Sequence, residues 1–187
     1  MHDLKTITAL GGAEPRIDTF PHITISENDS LALASVAARL GSEVECNKHM
    51  QAILGSVPAP GQAVLREPES GFWMGPDQWM IEAPKETHEL LADDLKARFA
   101  GCASVTEQSG AWVCFDLAGP GMADVTERLC AVPIRKMQTG EARRTIIHQL
   151  GCFVVRRTGA DHLRIIGPRA SAGTLHHALI TAAHSTA

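Results

Sequence analysis

Two stretches, WMIEAP at residues 79–84 and LRIIGP at residues 163–168, share one pattern, and this pattern determines how we interpret the fold. Each is an apolar run that ends in proline, and a segment with helical spacing of apolar residues follows it. Upstream, the runs at 31–40 and 111–118 are each followed by a glycine and then by another helical segment. The offsets between matching features are 163 − 79 = 84 and 119 − 41 = 78 residues. Such an internal repeat predicts a duplicated fold.

The repeat predicts the order β-α-β-β-α twice, as pseudo-repeats over residues 31–108 and 109–184. Matching the two halves requires residues 31–40 to form a strand, although their Ala and Leu content favours a helix. Two split βαβ units of this kind give an α+β fold with ferredoxin-like halves. We therefore predict a single α+β domain over 31–184.

Other local patterns predict where elements begin and end. Residues 1–30 read as an N-terminal arm with a short edge strand at 23–28. The segment 68–77 reads as a connection between strands, and the β-branched run 143–157 breaks at Gly151.

Two helices are predicted in the first half. Ser42 and Glu45 have the spacing of a capping box, which predicts a helix that begins at residue 42 and ends at 54. A second helix is predicted over 85–99, after Pro84.

Composition excludes several classes of function. The 187 residues include 17 Lys and Arg against 21 Asp and Glu, a net charge of −4, which argues against general nucleic-acid binding. No apolar run approaches the ~20 residues that span a bilayer. The start of the sequence lacks the pattern of a signal peptide, so we expect a cytoplasmic protein.

No motif in the sequence predicts catalysis, cofactor binding or metal binding by this chain. The adjacent His176 and His177 would point about 100° apart on a helix, and the Asp93-Asp94 pair is typical of a solvated helix face. Gly119-Pro120-Gly121 lacks a donor that a phosphate loop needs and predicts a rigid strand-to-helix corner. Five cysteines without a CxxC pair are predicted to be small buried side chains: Cys46, Cys102, Cys114, Cys130 and Cys152.

The segment FWMGPDQWM at residues 72–80 concentrates Trp, Met and Phe around a Gly-Pro-Asp turn. These residue types are enriched in protein interfaces, so Phe72, Trp73 and Trp79 are candidates for a partner interface. The alternative is that all of these side chains belong to the core.

The GPDQW turn, the segment VTEQSGAWVCFDLAGPGMADVTERLC (105–130) and the closing segment 144–183 carry a family resemblance. From about residue 31 to 183 the sequence resembles the gamma subunit of heterotetrameric sarcosine oxidase. The strand-Gly-Pro-helix element of this sequence, with Gly119 and Pro120 at its corner, is also similar to that of folate-binding aminomethyltransferases such as the glycine-cleavage T protein. This resemblance implies the same duplicated α+β fold.

The resemblance implies a non-catalytic subunit, not an enzyme on its own, within a complex that oxidatively demethylates sarcosine or a related N-methyl amine. FAD, FMN, NAD, zinc and tetrahydrofolate, with the one-carbon transfer, would belong to alpha, beta and delta partner subunits, and the chain would pack on alpha. The paired-Asp motif of the aminomethyltransferases has no counterpart here. Two alternatives stay open: a stand-alone folate-binding or aminomethyl-transferring protein, and a ferredoxin-like regulatory module for a small ligand.

Overall fold

A computed structural model describes residues 6–159 and 161–186, which contain four α-helices, eleven strands and two short 3-10 turns. The chain divides into two compact units. Unit 1 contains residues 6–29, 111–139, 143–159 and 161–186, and unit 2 contains 30–110 and 140–142. The strands and helices are, in chain order, β1 (Ile17–Phe20), β2 (Ile23–Asn28), β3 (Leu31–Ala38), α1 (Glu43–Leu54), β4 (Ala63–Val64), β5 (Ser70–Gly75), β6 (Gln78–Pro84), α2 (Leu91–Arg98), β7 (Ala103–Glu107), β8 (Trp112–Ala118), α3 (Met122–Glu127), β9 (Ala142–Ile147), β10 (Leu150–Arg156), β11 (His162–Pro168) and α4 (Ala172–Ser185).

Unit 1 is built on a six-stranded sheet with the strand order β1-β2-β8-β11-β10-β9. Alternate residues of β8, namely Val113, Phe115 and Leu117, are buried together with Leu175 and Leu179 of α4. The period of two on the strand and the spacing of four on the helix thus bring one face of each element into a single core.

Unit 2 is built on a five-stranded sheet with the order β4-β5-β6-β3-β7. Met50 of α1 and Leu95 of α2 are buried in one cluster with Val36 of β3 and Ile81 of β6. Phe99, four residues after Leu95 and directly after α2, is also buried. Both units therefore combine antiparallel strands with helices, as an α+β protein does.

The strand predicted at 31–40 is confirmed as β3. It pairs antiparallel with β6 on one side and with β7 on the other. Ala34 and Val36 are buried in the core of unit 2. Pairing on both edges and burial of one face outweigh the helical propensity of its alanines, since tertiary context routinely overrides intrinsic propensity.

The predictions for the N-terminal region need two corrections. Residues 17–20 form β1 rather than an irregular arm, and β1 is an edge strand of its sheet. The strand at 23–28 is interior because it pairs with both β1 and β8. Residues 6–29 belong to unit 1, where the buried Glu27 carboxylate accepts the backbone N–H groups of Leu10 at 2.9 Å and Arg16 at 3.2 Å. Residues 1–5 lie outside the described residues.

The predicted helix starts are wrong in detail. Ser42 precedes α1 without a side-chain capping bond, and Glu45 pairs with Lys48 at 2.9 Å, so the capping box does not form. The second helix begins at Leu91 rather than at residue 85, because the chain first makes turns in which His88 N–H donates to the Pro84 carbonyl.

Two hairpins also differ from prediction. The connection predicted at 68–77 contains β5, which pairs with β6. The break predicted at Gly151 lies instead at His148 and Gln149, which both have positive φ values between β9 and β10. The turn between β9 and β10 contains neither glycine nor proline, and β-branched residues flank it on both sides, so the sequence does not indicate where it lies.

Among the described residues, no helix combines the length and the apolar character needed to cross a membrane. The single domain over residues 31–184, made of pseudo-repeats 31–108 and 109–184, stays a prediction.

Candidate partner interface and charged groups

The segment 72–80 lies in the β5–β6 hairpin, and Pro76 and Asp77 make its turn. The register shifts between Trp73 and Gly75, and Asp77 has a φ of 53°. The Asp77 carbonyl accepts the N–H of Ala38 at 2.9 Å, which attaches the turn to the end of β3.

Trp73 and Trp79 are directly opposite each other in the hairpin, so both side chains project from the same face of the sheet. Trp79 is 3% exposed, and its indole N–H donates to the Pro58 carbonyl at 3.0 Å. Phe72 is opposite Met80 and is only 1% exposed. Two of the three predicted interface residues are therefore buried, and a role for them in partner contact stays a prediction.

Trp73 is the half-buried member of the set and packs at the margin of the unit 2 core. Pro76 and Asp77 of the turn are exposed. Leu40, two residues beyond Ala38, is 99% exposed, and Val44 in the first turn of α1 is also exposed. Two exposed apolar side chains therefore follow closely in sequence on the end of β3 to which the turn is attached.

A charged cluster that the sequence did not predict lies on β8 and β11. Arg164 donates to both carboxylate oxygens of Asp116, from Nε at 2.7 Å and from Nη2 at 2.9 Å. Asn28 Nδ2 donates to Asp116 Oδ2 at 2.7 Å, and His162 Nε2 lies 3.6 Å from Oδ1. Burial acts to raise the pKa of Asp116, but the hydrogen bonds from His162, Arg164 and Asn28 and the charge of Arg164 hold that pKa well below its usual range.

One feature of the sequence could have predicted this cluster. Each of two mainly apolar strands contains one acidic or basic residue, Asp116 in WVCFDLA and Arg164 in HLRIIGP. Buried charges are nearly always paired, so the two strands could have been expected to meet at Asp116 and Arg164. The bidentate pair fixes the register between them.

The histidines do not form a metal site in the part of the chain that the structure describes, where no group of three or more His, Cys, Asp or Glu side chains could hold a metal ion. His177 is exposed, whereas His176 Nε2 lies 2.8 Å from Asp18 Oδ2. Burial acts to raise the pKa of Asp18, but hydrogen bonds from Arg16 and His176 lower it overall.

The remaining polar motifs have structural roles. Asp93 and Asp94 are exposed, as predicted, and pair with Lys96 and Arg98 on their own helix. Gly119 connects β8 to α3 with a φ of 125°. A Cβ at Gly119 would lie 2.7 Å from the His22 carbonyl oxygen, so this corner requires glycine.

The five cysteines, which all lie in the described part of the chain, form no disulfide, and all are buried except Cys130, which is half-buried. Burial raises the pKa of Cys152 to about 11, as expected for an unreactive core thiol.

One surface depression of about 530 Å³ is lined by residues 86–91 together with Asp94. It is open, and three carboxylates border it, two of them within the segment 86–91. An acidic cluster of this kind does not by itself define a ligand.

Known structures share this fold. A chain of heterotetrameric sarcosine oxidase from Corynebacterium sp. U-96, solved with pyrrole 2-carboxylate, aligns with a TM-score of 0.76 and 22% identity over 88% of this chain and 85% of that one. Aminomethyltransferase T of the glycine cleavage system from Bartonella henselae aligns with a TM-score of 0.67 and 17% identity over 89% of this chain. This alignment spans about half of the aminomethyltransferase, 53% of its length.

No protein-family model matches the sequence, and no curated protein matches it significantly. The structural alignments show that the chain has an α+β fold shared by a sarcosine oxidase chain and by aminomethyltransferase T. The predicted resemblance to a sarcosine oxidase chain is thereby confirmed at the level of the fold.

Proposed function

We propose that this chain is a non-catalytic, gamma-type subunit of a sarcosine-oxidase-type flavoenzyme complex that acts on sarcosine or a related N-methyl amine. The main support is the structural alignment with a sarcosine oxidase chain over 88% of this chain and 85% of that one, because a shared subunit has to match along most of its length. The motifs at 75–79 and 105–130 support the same assignment.

In this proposal the partner subunits are alpha, beta and delta, and the chain packs on alpha in the cytoplasm. FAD, FMN, NAD, zinc and tetrahydrofolate bind in the partners. The acidic groups of this chain agree with such a division of roles: Asp116 is fully engaged by Arg164 and Asn28, and Asp93 and Asp94 are paired at the surface.

We also propose that the two units arose by duplication. The strand order β4-β5-β6-β3-β7 of unit 2 corresponds to β9-β10-β11-β8-β2 in unit 1. In both units a helix follows the third strand of this order, α2 after β6 and α4 after β11. Superposing residues 31–99 on 111–184 should align β3 with β8 and α2 with α4. Failure of these pairs to align would refute the duplication.

The partner surface is proposed to be the exposed end of the 72–80 hairpin, with Trp73 as its apolar anchor. Tryptophan is enriched among binding hot spots, and Trp73 is half-buried at the margin of the unit 2 core.

The assembly is tested by expressing the tagged chain in its native host and purifying it under native conditions. We expect larger subunits to copurify in stoichiometric amounts, with the visible absorbance of flavin in the eluate and N-methyl-amine-dependent oxidation. The tag alone is the control. Recovery of the chain without flavin or partners would refute the proposal.

The second candidate, a stand-alone folate-binding protein, is favoured by the alignment with aminomethyltransferase T. Isothermal titration of the purified chain with tetrahydrofolate distinguishes the two. The subunit proposal expects no saturable binding by the chain alone, and a stoichiometric site would favour the second candidate.

A further inference from the structure

Among the described residues, β9 is the last strand on one side of the six-stranded sheet of unit 1, with β10 as its neighbour. A two-residue turn, His148-Gln149 with positive φ at both residues, joins β9 to β10. The residues on either side of such a turn form a hydrogen-bonded pair, and every second residue from there directs its N–H and C=O away from the neighbouring strand. The backbone groups of Arg144 and Ile146 therefore point to the outer edge of β9.

The first residue of β9 already forms hydrogen bonds at this edge. The Ala142 N–H donates to the Gly61 carbonyl at 2.9 Å, and an isolated antiparallel bridge joins Gln62 to Glu141. In a strand the backbone groups return to the same side after two and after four residues, which gives the same two outward positions as the turn does. The pairing at Ala142 thus shows that the edge accepts an extended segment, and β9 continues beyond it.

The side chains at the two outward positions are one basic and one apolar. Ile146 is 67% exposed. Arg144 is also exposed, and its guanidinium carbon lies 5.9 Å from the centre of the Phe153 ring. Because they are two residues apart on a strand, Arg144 and Ile146 share one face of the sheet. An exposed edge strand that carries an apolar side chain is a template for a further strand.

The opposite edge of the same sheet is protected. The strand β1 has four residues and lies between Pro15 and Pro21, which have no N–H to donate. Arg16 pairs with Asp18 of this strand at 3.0 Å. Short strands and flanking prolines are the usual protection of a sheet edge, so β9 is the edge of unit 1 that is suited to pairing.

We propose that the edge of β9 from Arg144 to Ile146 binds an extended acidic segment of another protein, which adds to the sheet as a further antiparallel strand. Main-chain hydrogen bonds to Arg144 and Ile146 provide the affinity, and a carboxylate opposite Arg144 with an apolar side chain opposite Ile146 provides the selectivity. A second copy of β9 is disfavoured, because Arg143 and Arg144 of both copies would lie on adjacent strands, and like charges on paired strands are destabilising. The proposal concerns unit 1 and does not depend on the partner surface proposed for the 72–80 hairpin.

The test uses NMR spectroscopy of the isotope-labelled protein with two short synthetic peptides that have blocked ends. One contains Thr-Val-Thr-Glu-Thr, which sets Val opposite Ile146 and Glu opposite Arg144 in antiparallel pairing, and the other has Lys in place of Glu. We expect the Glu peptide to slow solvent exchange of the Arg144 and Ile146 amides in a saturable manner, and the Lys peptide to bind roughly tenfold more weakly. Unchanged exchange of these two amides at millimolar Glu peptide, or equal binding of both peptides, would overturn the proposal.

Charge reversal tests whether Arg144 selects the acidic segment. Arg128→Glu is the matched control, because it makes the same change of net charge at an exposed arginine outside β9. In Arg144→Glu the Lys peptide should bind more tightly than the Glu peptide, whereas Arg128→Glu should keep the preference of the unmodified protein. The same preference in Arg144→Glu as in the unmodified protein, or an equal change in both variants, would contradict the proposal. An inverted preference requires a gain of binding, which loss of folding cannot produce, and the two peptides test the unmodified protein in any case.

Discussion

The two tryptophans of the 72–80 hairpin provide the most direct test of the proposed partner surface. Each is replaced by alanine in turn, and Leu90→Ala serves as a matched control because Leu90 is an exposed apolar residue of unit 2 outside the hairpin. Trp79→Ala should lower stability, whereas Trp73→Ala should weaken assembly.

The expected magnitudes follow from burial and hydrogen bonding. Trp79 is 3% exposed, so its truncation leaves a cavity and should cost ~3–5 kcal/mol. Loss of the indole N–H also leaves the Pro58 carbonyl without this donor, for about 1 kcal/mol more. For a chain of this size each kcal/mol corresponds to about 2–4 °C, so the melting temperature should fall by about 8–24 °C.

Trp73 is half-buried, so its truncation should cost only ~1–2 kcal/mol of folding free energy. As an interface anchor it should contribute ~2 kcal/mol to association, which is roughly thirtyfold in Kd.

The assay measures two quantities for each variant: the melting temperature of the purified chain, and its affinity for the partner complex by competition against the unmodified chain. The Leu90→Ala control should change neither beyond about 0.5 kcal/mol. If Trp73→Ala binds normally, or if both Trp variants lose stability equally with unchanged binding, the hairpin belongs to the core only.

Three further variants test other features of the structure. Asp116→Asn should cost about 3–5 kcal/mol, because Arg164 stays buried without that counter-charge. Because folding lowers the pKa of Asp116, its stabilising effect is present above about pH 4, the pKa in the unfolded chain, and is lost as the pH falls below that value. Urea titrations in acid should therefore show a smaller loss of stability for Asp116→Asn than for the unmodified protein. Equal losses of stability would contradict the pairing. Glu27→Gln should cost about 1–3 kcal/mol of stability and speed hydrogen exchange of the Leu10 amide, which donates to Glu27. Unchanged exchange would show that other contacts hold the segment before β1. Gly119→Ala should cost about 2–4 kcal/mol of stability, because the positive φ of residue 119 is unfavourable for alanine and its Cβ would clash with a backbone oxygen. Thermal melting measures this cost, and Gly110→Ala is the neutral control. Equal melting temperatures of the two variants would contradict the close approach of Gly119 to that oxygen.

The sequence by itself determined the type of most elements after residue 30, but the predicted order β-α-β-β-α lacks one strand in each half, because three strands rather than two lie between the helices. Apolar spacing in α1 and α4 predicted the faces that are buried in the structure. The repeat also predicted that 31–40 is a strand against its local propensity. These inferences succeed because the period of apolar residues depends on the local geometry of a strand or helix, which neighbouring residues in sequence define.

Only the tertiary structure decided which strands are neighbours and which polar groups meet. The strand at 23–28 is interior because β1 pairs with its outer edge, and this pairing leaves no mark in its own sequence. The register that sets Trp73 opposite Trp79 depends on the shift at the hairpin turn, and a change of one residue would move a side chain to the other face. Asp116 and Arg164 meet although 48 residues separate them, because β8 and β11 pair antiparallel in unit 1. Such contacts depend on which distant segments of the chain pair in the folded protein, and the spacing of residues within one segment carries no information about its partners.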